Sequence, residues 1–138
     1  MKVYVDTDVI LDLLLKRQTF HKDAELLFDN IAKNKLTAFT TPVSIANIYY
    51  IINSLNKVKN ARNIIKKLRL LLKIIPMDKF CVDNALSSEI KDFEDSLQYY
   101  ACVKNSLDHI VTRNKKDYKK AKIPVSTPKE INEIIRAN

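Results

Sequence analysis

The chain has 138 residues, 46% of them hydrophobic, which suffices for one cored domain over residues 1–138 and argues against disorder. Glycine is absent altogether. This speaks against Walker-type and Rossmann sites, whose phosphate-cradling loops need glycine for positive φ and close backbone approach. A formal charge of +8 favours a polyanionic partner, with nucleic acid ahead of a membrane surface.

Residues 2–5 form a short β-rich run that stops at Asp6, and residues 9–15 predict a helical turn or two. Residues 20–33 carry Phe20, Ala24, Leu27, Phe28 and Ile31 at the spacing of an amphipathic helix. A second strand is predicted over residues 36–41, followed by a helix from Pro42 to about residue 55. Residues 61–72 supply another helix, with Ile64, Ile65, Leu68, Leu71 and Leu72 on one face. Residues 73–76 predict a third strand, and residues 79–90 and 92–104 two further helices. A fourth strand is expected over residues 109–112 and a short fifth over 124–126. Thr127 and Pro128 then open a terminal helix as N-cap and first residue. Alternation of strands and helices predicts an α/β fold around a mostly parallel sheet of four to five strands.

Basic residues run without an acid through Lys57, Lys59, Arg62, Lys66, Lys67, Arg69 and Lys73. A second stretch contains Arg113, Lys115, Lys116, Lys119, Lys120 and Lys122. The plain alternative for such runs is a solvated face. Cys81 and Cys102, with only His21 and His109 to help, lack the spacing of a zinc site and read as buried, reduced thiols of a cytoplasmic protein. No leader peptide is expected, and the longest apolar run, residues 48–52, is too short to cross a bilayer.

Ligands of open parallel sheets bind at the carboxyl ends of the strands. Asp6 directly follows the first strand, and Asp8 lies two residues on. Asp117 comes shortly after the fourth strand, which could neighbour the first. Asp92 and Asp95 share one face at the start of a helix, with Glu94 between them. Acids gathered in one pocket repel each other, and a hard divalent cation, Mg²⁺ or Mn²⁺, removes that cost. A basic protein with such a pocket suits phosphodiester hydrolysis. Three acids also have a simpler reading: Asp6 as a turn or N-cap residue, Asp92 as a helix cap, and Asp108 as a solvated loop residue at the opposite edge. The tyrosine pairs at 49–50 and 99–100 read as packing residues that could also stack bases.

Three segments, in order, resemble the PIN domain family, in its toxin-type, VapC-like nuclease form. They are Val3-Tyr4-Val5-Asp6-Thr7-Asp8, then Asp92-Phe93-Glu94-Asp95-Ser96-Leu97-Gln98-Tyr99, then Asp108 to Tyr118 through Thr112-Arg113-Asn114-Lys115-Lys116-Asp117. The ending Ile123-Pro124-Val125-Ser126-Thr127-Pro128 resembles the family's last strand and helix. The resemblance implies a three-layer α/β/α sandwich and a metal-dependent endoribonuclease, the toxin of a toxin–antitoxin pair, with RNA as substrate. It implies Asp6 and Asp95 as metal ligands, with the fourth acidic position carried by Asn114, Asp117 or both. Thr112 would orient phosphate or a water, and Arg113 and Asp8 would join it on the substrate side. A homodimer and a small antitoxin, whose tail reaches the acidic pocket through a basic side chain, are the implied partners.

Where the family usually has a glutamate on the helix after the second strand, this chain has Asn47. An amide offers a carbonyl oxygen to a metal but neither charge nor general base. Glu94 or Asp92 is the expected replacement. Two alternatives stand beside the nuclease. One is a catalytically weak RNA-binding or regulatory domain on the same fold. The other is a haloacid-dehalogenase-type phosphatase built on Asp6-Thr7-Asp8-Val9, in which one aspartate is phosphorylated.

Overall fold

A computed structural model describes residues 1–55 and 60–138. Lys57 and Lys59, from the first basic stretch, lie outside the described residues. The elements in chain order are β1 (Lys2–Val5), α1 (Thr7–Leu14), α2 (His21–Ala32), β2 (Thr37–Thr40), α3 (Pro42–Ser54) and α4 (Ala61–Leu68). They continue with β3 (Leu72–Ile74), α5 (Lys79–Leu86), α6 (Phe93–Lys104) and β4 (His109–Val111). A 3-10 helix (Lys115–Tyr118), β5 (Val125–Ser126) and α7 (Pro128–Ala137) complete the fold.

The strands form one sheet in the order β3-β2-β1-β4-β5, and every neighbouring pair is parallel. Period-two alternation sends successive side chains to opposite faces. Val3, Val5, Ala38, Leu72 and Val111 therefore meet the apolar faces of α1, α2, α3, α4 and α7. Tyr4 and Ile110 point the other way, into a layer built from Cys81, Ile90, Tyr99, Ala101, Cys102 and Tyr118. The result is the α/β/α sandwich expected, with all five strands parallel. Both cysteines are buried and free. No helix among the described residues is long and apolar enough to cross a membrane.

The boundaries depart from expectation in instructive places. The helix predicted over residues 61–72 stops at Leu68, because Leu72 leaves the apolar stripe to pair with Ala38 in the sheet. The helix predicted over 79–90 stops at Leu86; the Ser88 hydroxyl then accepts from the Ile90 amide and turns the chain. α1 begins two residues early because Asp6 caps it. At the other end, Thr127 and Glu130 close a reciprocal capping box on α7.

Helix ends are made without glycine. α1, α2 and α6 each finish with a left-handed residue, Lys16 (φ 48°), Asn34 (φ 59°) and Ser106 (φ 55°). Beyond each, an amide reaches back five residues: Arg17 N to Asp12 O (3.2 Å), Lys35 N to Asn30 O (3.0 Å) and Leu107 N to Cys102 O (3.0 Å). This is the Schellman ending, in which a side chain at the left-handed position costs ~1–2 kcal/mol relative to glycine.

β1 is the centre of the sheet. The chain winds from it to β2 and β3 on one side, then crosses back to β4 and β5 on the other. The crevice between β1 and β4 at their carboxyl ends is thus the point where the winding reverses.

Candidate active site

That crevice holds most of the acids singled out above. Asp6 caps α1, and its Oδ1 accepts from the Thr7 amide at 2.8 Å. The capping reading is therefore correct, but it accounts for one oxygen only. Oδ2 faces β4, where it accepts from the Thr112 hydroxyl (2.9 Å) and the Tyr118 hydroxyl (3.2 Å). The β1–β4 pairing makes this meeting possible, with Val5 opposite Val111 and the Asp6 amide on the Val111 carbonyl.

Asp95 stands in the first turn of α6, whose N-cap is Asp92. The Tyr118 hydroxyl lies 3.3 Å from Asp95 Oδ1, so a single phenol spans the two carboxylates. One proton cannot serve two anions well. Burial, followed by the charge of Asp6, pushes the Asp95 carboxyl up to about 7. Burial also raises Asp6, against hydrogen bonds from Thr112, Thr7 and Tyr118 that pull it down.

Asp8 lies beside them. Burial and then the charge of Asp6 raise it to about 6. Its Oδ2 accepts from the Arg113 amide (3.2 Å) and from Asn114 Nδ2 (3.1 Å), while Oδ1 is buried with no hydrogen-bond partner. Asp117, exposed on the 3-10 helix, completes the rim with Asp92 and Glu94 around a cleft of about 280 Å³. Asn47, on α3, donates to Glu94 Oε1 at 2.6 Å and so holds that acid at the cleft; burial raises the Glu94 carboxyl.

The donor set fits a hard divalent cation. It consists of carboxylate oxygens with no histidine or thiolate among them, it is destabilised by its own charge, and it includes one buried oxygen without a partner. Among the described residues no three such side chains already stand as a finished ligand cage. Asp6 and Asp95 could hold the cation, with Asp8, Asp117 and Glu94 in reserve.

Arg113 has a different station from the one expected of a substrate contact. Its guanidinium grips Asp12 through Nε (2.8 Å) and a terminal nitrogen (3.1 Å), and it lies 4.1 Å above the Phe20 ring centre. Asp12 is 1% exposed on α1, and Arg17 also approaches its Oδ1, at 3.5 Å. What Arg113 presents to the cleft is its backbone amide, on Asp8. Arg113→Ala should therefore strand a buried carboxylate and lower stability by about 2–3 kcal/mol, measured by urea unfolding.

Several site groups are not evident from the sequence. Tyr118, 1% exposed, bridges Asp6 and Asp95, and Tyr4 joins Asp6 Oδ1 (3.4 Å) to Ser44 (2.8 Å). Asp12 left a readable signal: a charge inside the apolar run of α1 needs a partner. Asp108 is exposed at the opposite edge, as expected, and accepts from the Lys2 amide. His21 bonds Glu25 and His109 bonds Ser126, both away from the cleft.

Fold and cleft together define an all-parallel α/β sandwich that collects acids where its winding reverses. The PIN domain family matches residues 2–116, and the chain belongs to that family. It is 32% identical over 122 residues to Ribonuclease VapC1 of Aquifex aeolicus (strain VF5), across 85% of this chain and 84% of that protein. Among solved structures it resembles VapBC2 from Rickettsia felis bound to a DNA fragment from their promoter, with TM-score 0.67 and 16% identity over 92% of this chain and 98% of that one. It also resembles a toxin–antitoxin complex from Klebsiella pneumoniae, with TM-score 0.68 and 18% identity over 91% and 97%. At these identities the likeness to solved structures is one of fold. Membership of this family sets aside the phosphatase alternative.

Proposed function

We propose that the protein is a metal-dependent endoribonuclease and the toxin of a toxin–antitoxin pair, with residues 1–138 acting as one domain. The observation that carries this reading is the approach of Asp6 and Asp95 to one hydroxyl, in a chain whose net charge is +8. A relative that bears the name ribonuclease supports the reaction, and relatives solved as toxin–antitoxin complexes support the partner.

In this mechanism Asp6 and Asp95 would hold Mg²⁺ or Mn²⁺, with Asp117 and Asn114, on the rim of the same cleft, as further candidate ligands. The ion, when bound, neutralises phosphoryl oxygens and acidifies water. Thr112, fully buried, turns its hydroxyl toward Asp6 (2.9 Å) and Asp8 (3.4 Å) and accepts from the Asn114 amide, so it orients the carboxylates and does not reach a phosphate itself. Asp8 keeps a partnerless oxygen near the cleft, suited to accepting a proton. Tyr118 sets the spacing of the two principal acids. Glu94, held by Asn47, supplies the charge that an amide at position 47 lacks. An antitoxin would close the cleft with a basic side chain.

The test is a cleavage assay on a mixed RNA pool with Mn²⁺, Mg²⁺ or EDTA. Cleavage with either metal and none in EDTA is expected. Equal cleavage in EDTA would remove the metal-nuclease reading. Binding of RNA without cleavage under any condition would favour the regulatory alternative, for which Asn47 is the main argument.

A further inference from the structure

Beside the acidic cleft lies a second depression of about 370 Å³. It is lined by Lys91 before α6 and by Lys116, Lys119 and Lys120 on and after the 3-10 helix, with Ile90 at its floor. Asp92 and Asp117 belong to both depressions, so the two are continuous. Among the described residues none of these four lysines forms an ion pair, whereas the neighbouring Lys115 is taken by Glu130. All four are exposed.

The segment that bears three of them is anchored through one residue. Tyr118 is buried within it, and its hydroxyl is the one that spans Asp6 and Asp95. Residues three apart eclipse one another in a 3-10 turn, so Lys116 and Lys119 fall on one side. Unpaired ammonium groups carried on an anchored backbone thus border the depression that opens onto the Asp6–Asp95 pair.

From this geometry we infer that the depression is a phosphate subsite for a single-stranded RNA backbone, seating a phosphate next to the one presented to the acids. The inference rests on the nuclease reading for its substrate. A flexible strand suits the place better than a broad anionic surface, because Glu89, Asp92 and Asp117 among the lysines would repel such a surface. Discrete phosphates can be placed over the ammonium groups alone. Lysine contacts of this kind position a strand and read no bases.

The test measures binding of a fluorescein-labelled 12-mer oligouridine to the full chain, in EDTA to prevent cleavage, by anisotropy at several KCl concentrations. Lys116, Lys119 and Lys120 are replaced together by Gln in one variant. In the other, Lys66, Lys67 and Lys73 are so replaced; these are exposed, outside both depressions and equal in charge removed. The first variant should bind about tenfold more weakly at 0.15 M KCl. Its plot of log affinity against log salt should be shallower by about 2, near 0.7 for each lost contact on a single strand. The second should keep the parent slope. Equal losses in both variants would show a diffuse charge effect and overturn the inference, as would an unchanged slope in the first or no salt-dependent binding by the parent. Thermal melts of all three proteins separate lost binding from lost fold. Cleavage by the parent and by Asp6→Asn is scored in parallel. Metal-dependent cleavage with equal slopes sinks the subsite alone, whereas a trough-dependent slope with no cleavage sinks the nuclease reading alone.

Discussion

Asp95→Asn should reduce RNA cleavage by about a thousandfold and at the same time raise the Tm of the metal-free protein at pH 8. Both effects have one cause. The Asp95 carboxyl is pushed up to about 7 by burial and by Asp6, so at pH 8 the fold carries an anion it does not favour. An amide of the same shape relieves that repulsion and gives up the charge that would hold the cation. Asp6→Asn should cost as much activity, because the side chain touches the start of α1, Thr112 just past β4, and the 3-10 helix at once. Its fold should survive, since asparagine caps a helix as well as aspartate does. Initial rates on RNA with Mn²⁺, paired with melts in EDTA, test the claim. Cleavage by either variant within tenfold of the parent would end it.

Stability without metal should fall as pH rises from about 4 to above 7, and Mn²⁺ should restore it on the alkaline side only. Asp8 and Asp95 have folded values of about 6 and about 7 against an ordinary 3.8. Below about pH 4 both folded and unfolded chains are protonated there, and the contribution is fully present. As pH rises, the unfolded chain releases these protons first, the folded chain is left holding more of them, and stability drops until the folded values are passed. His109, held low by burial, acts in the opposite direction below its ordinary 6.5. The effect is therefore best read as the difference between parent and Asp95→Asn. Calorimetric melts at pH 5 and pH 8, with and without Mn²⁺, should show a Tm rise of several degrees at pH 8 and little at pH 5. Glu94→Gln should shrink the rise at pH 8. A parent whose Tm ignores Mn²⁺ at pH 8 would refute the proposed ion site.

Much of this arrangement was legible in residue order. Asp6 ends a β-rich run and Thr112 ends another, and in a parallel sheet both ends fall on one edge. Asp95, three residues past a capping aspartate, could face only the first turn of its helix. The rest depended on contacts that local sequence does not encode. Leu72 suits a helix stripe and a strand equally, and only pairing with Ala38 decides between them. Arg113 reads as a free cation until Asp12, 101 residues away, claims its guanidinium. Tyr118 follows Asp117 in the chain, yet nothing in that order says the ring turns inward while the carboxylate turns out. The 3-10 helix that achieves this opposition is too short to show a periodicity.

The left-handed endings of α1, α2 and α6 bear on the denatured chain as well as the native one. A glycine at Lys16, Asn34 or Ser106 would relax the folded backbone, but it would also enlarge the range of shapes open to the coil. With a side chain at every position, the disordered ensemble is narrower throughout, and folding has less freedom to extinguish. The local cost of those three corners is thereby partly offset in the state where they do not exist.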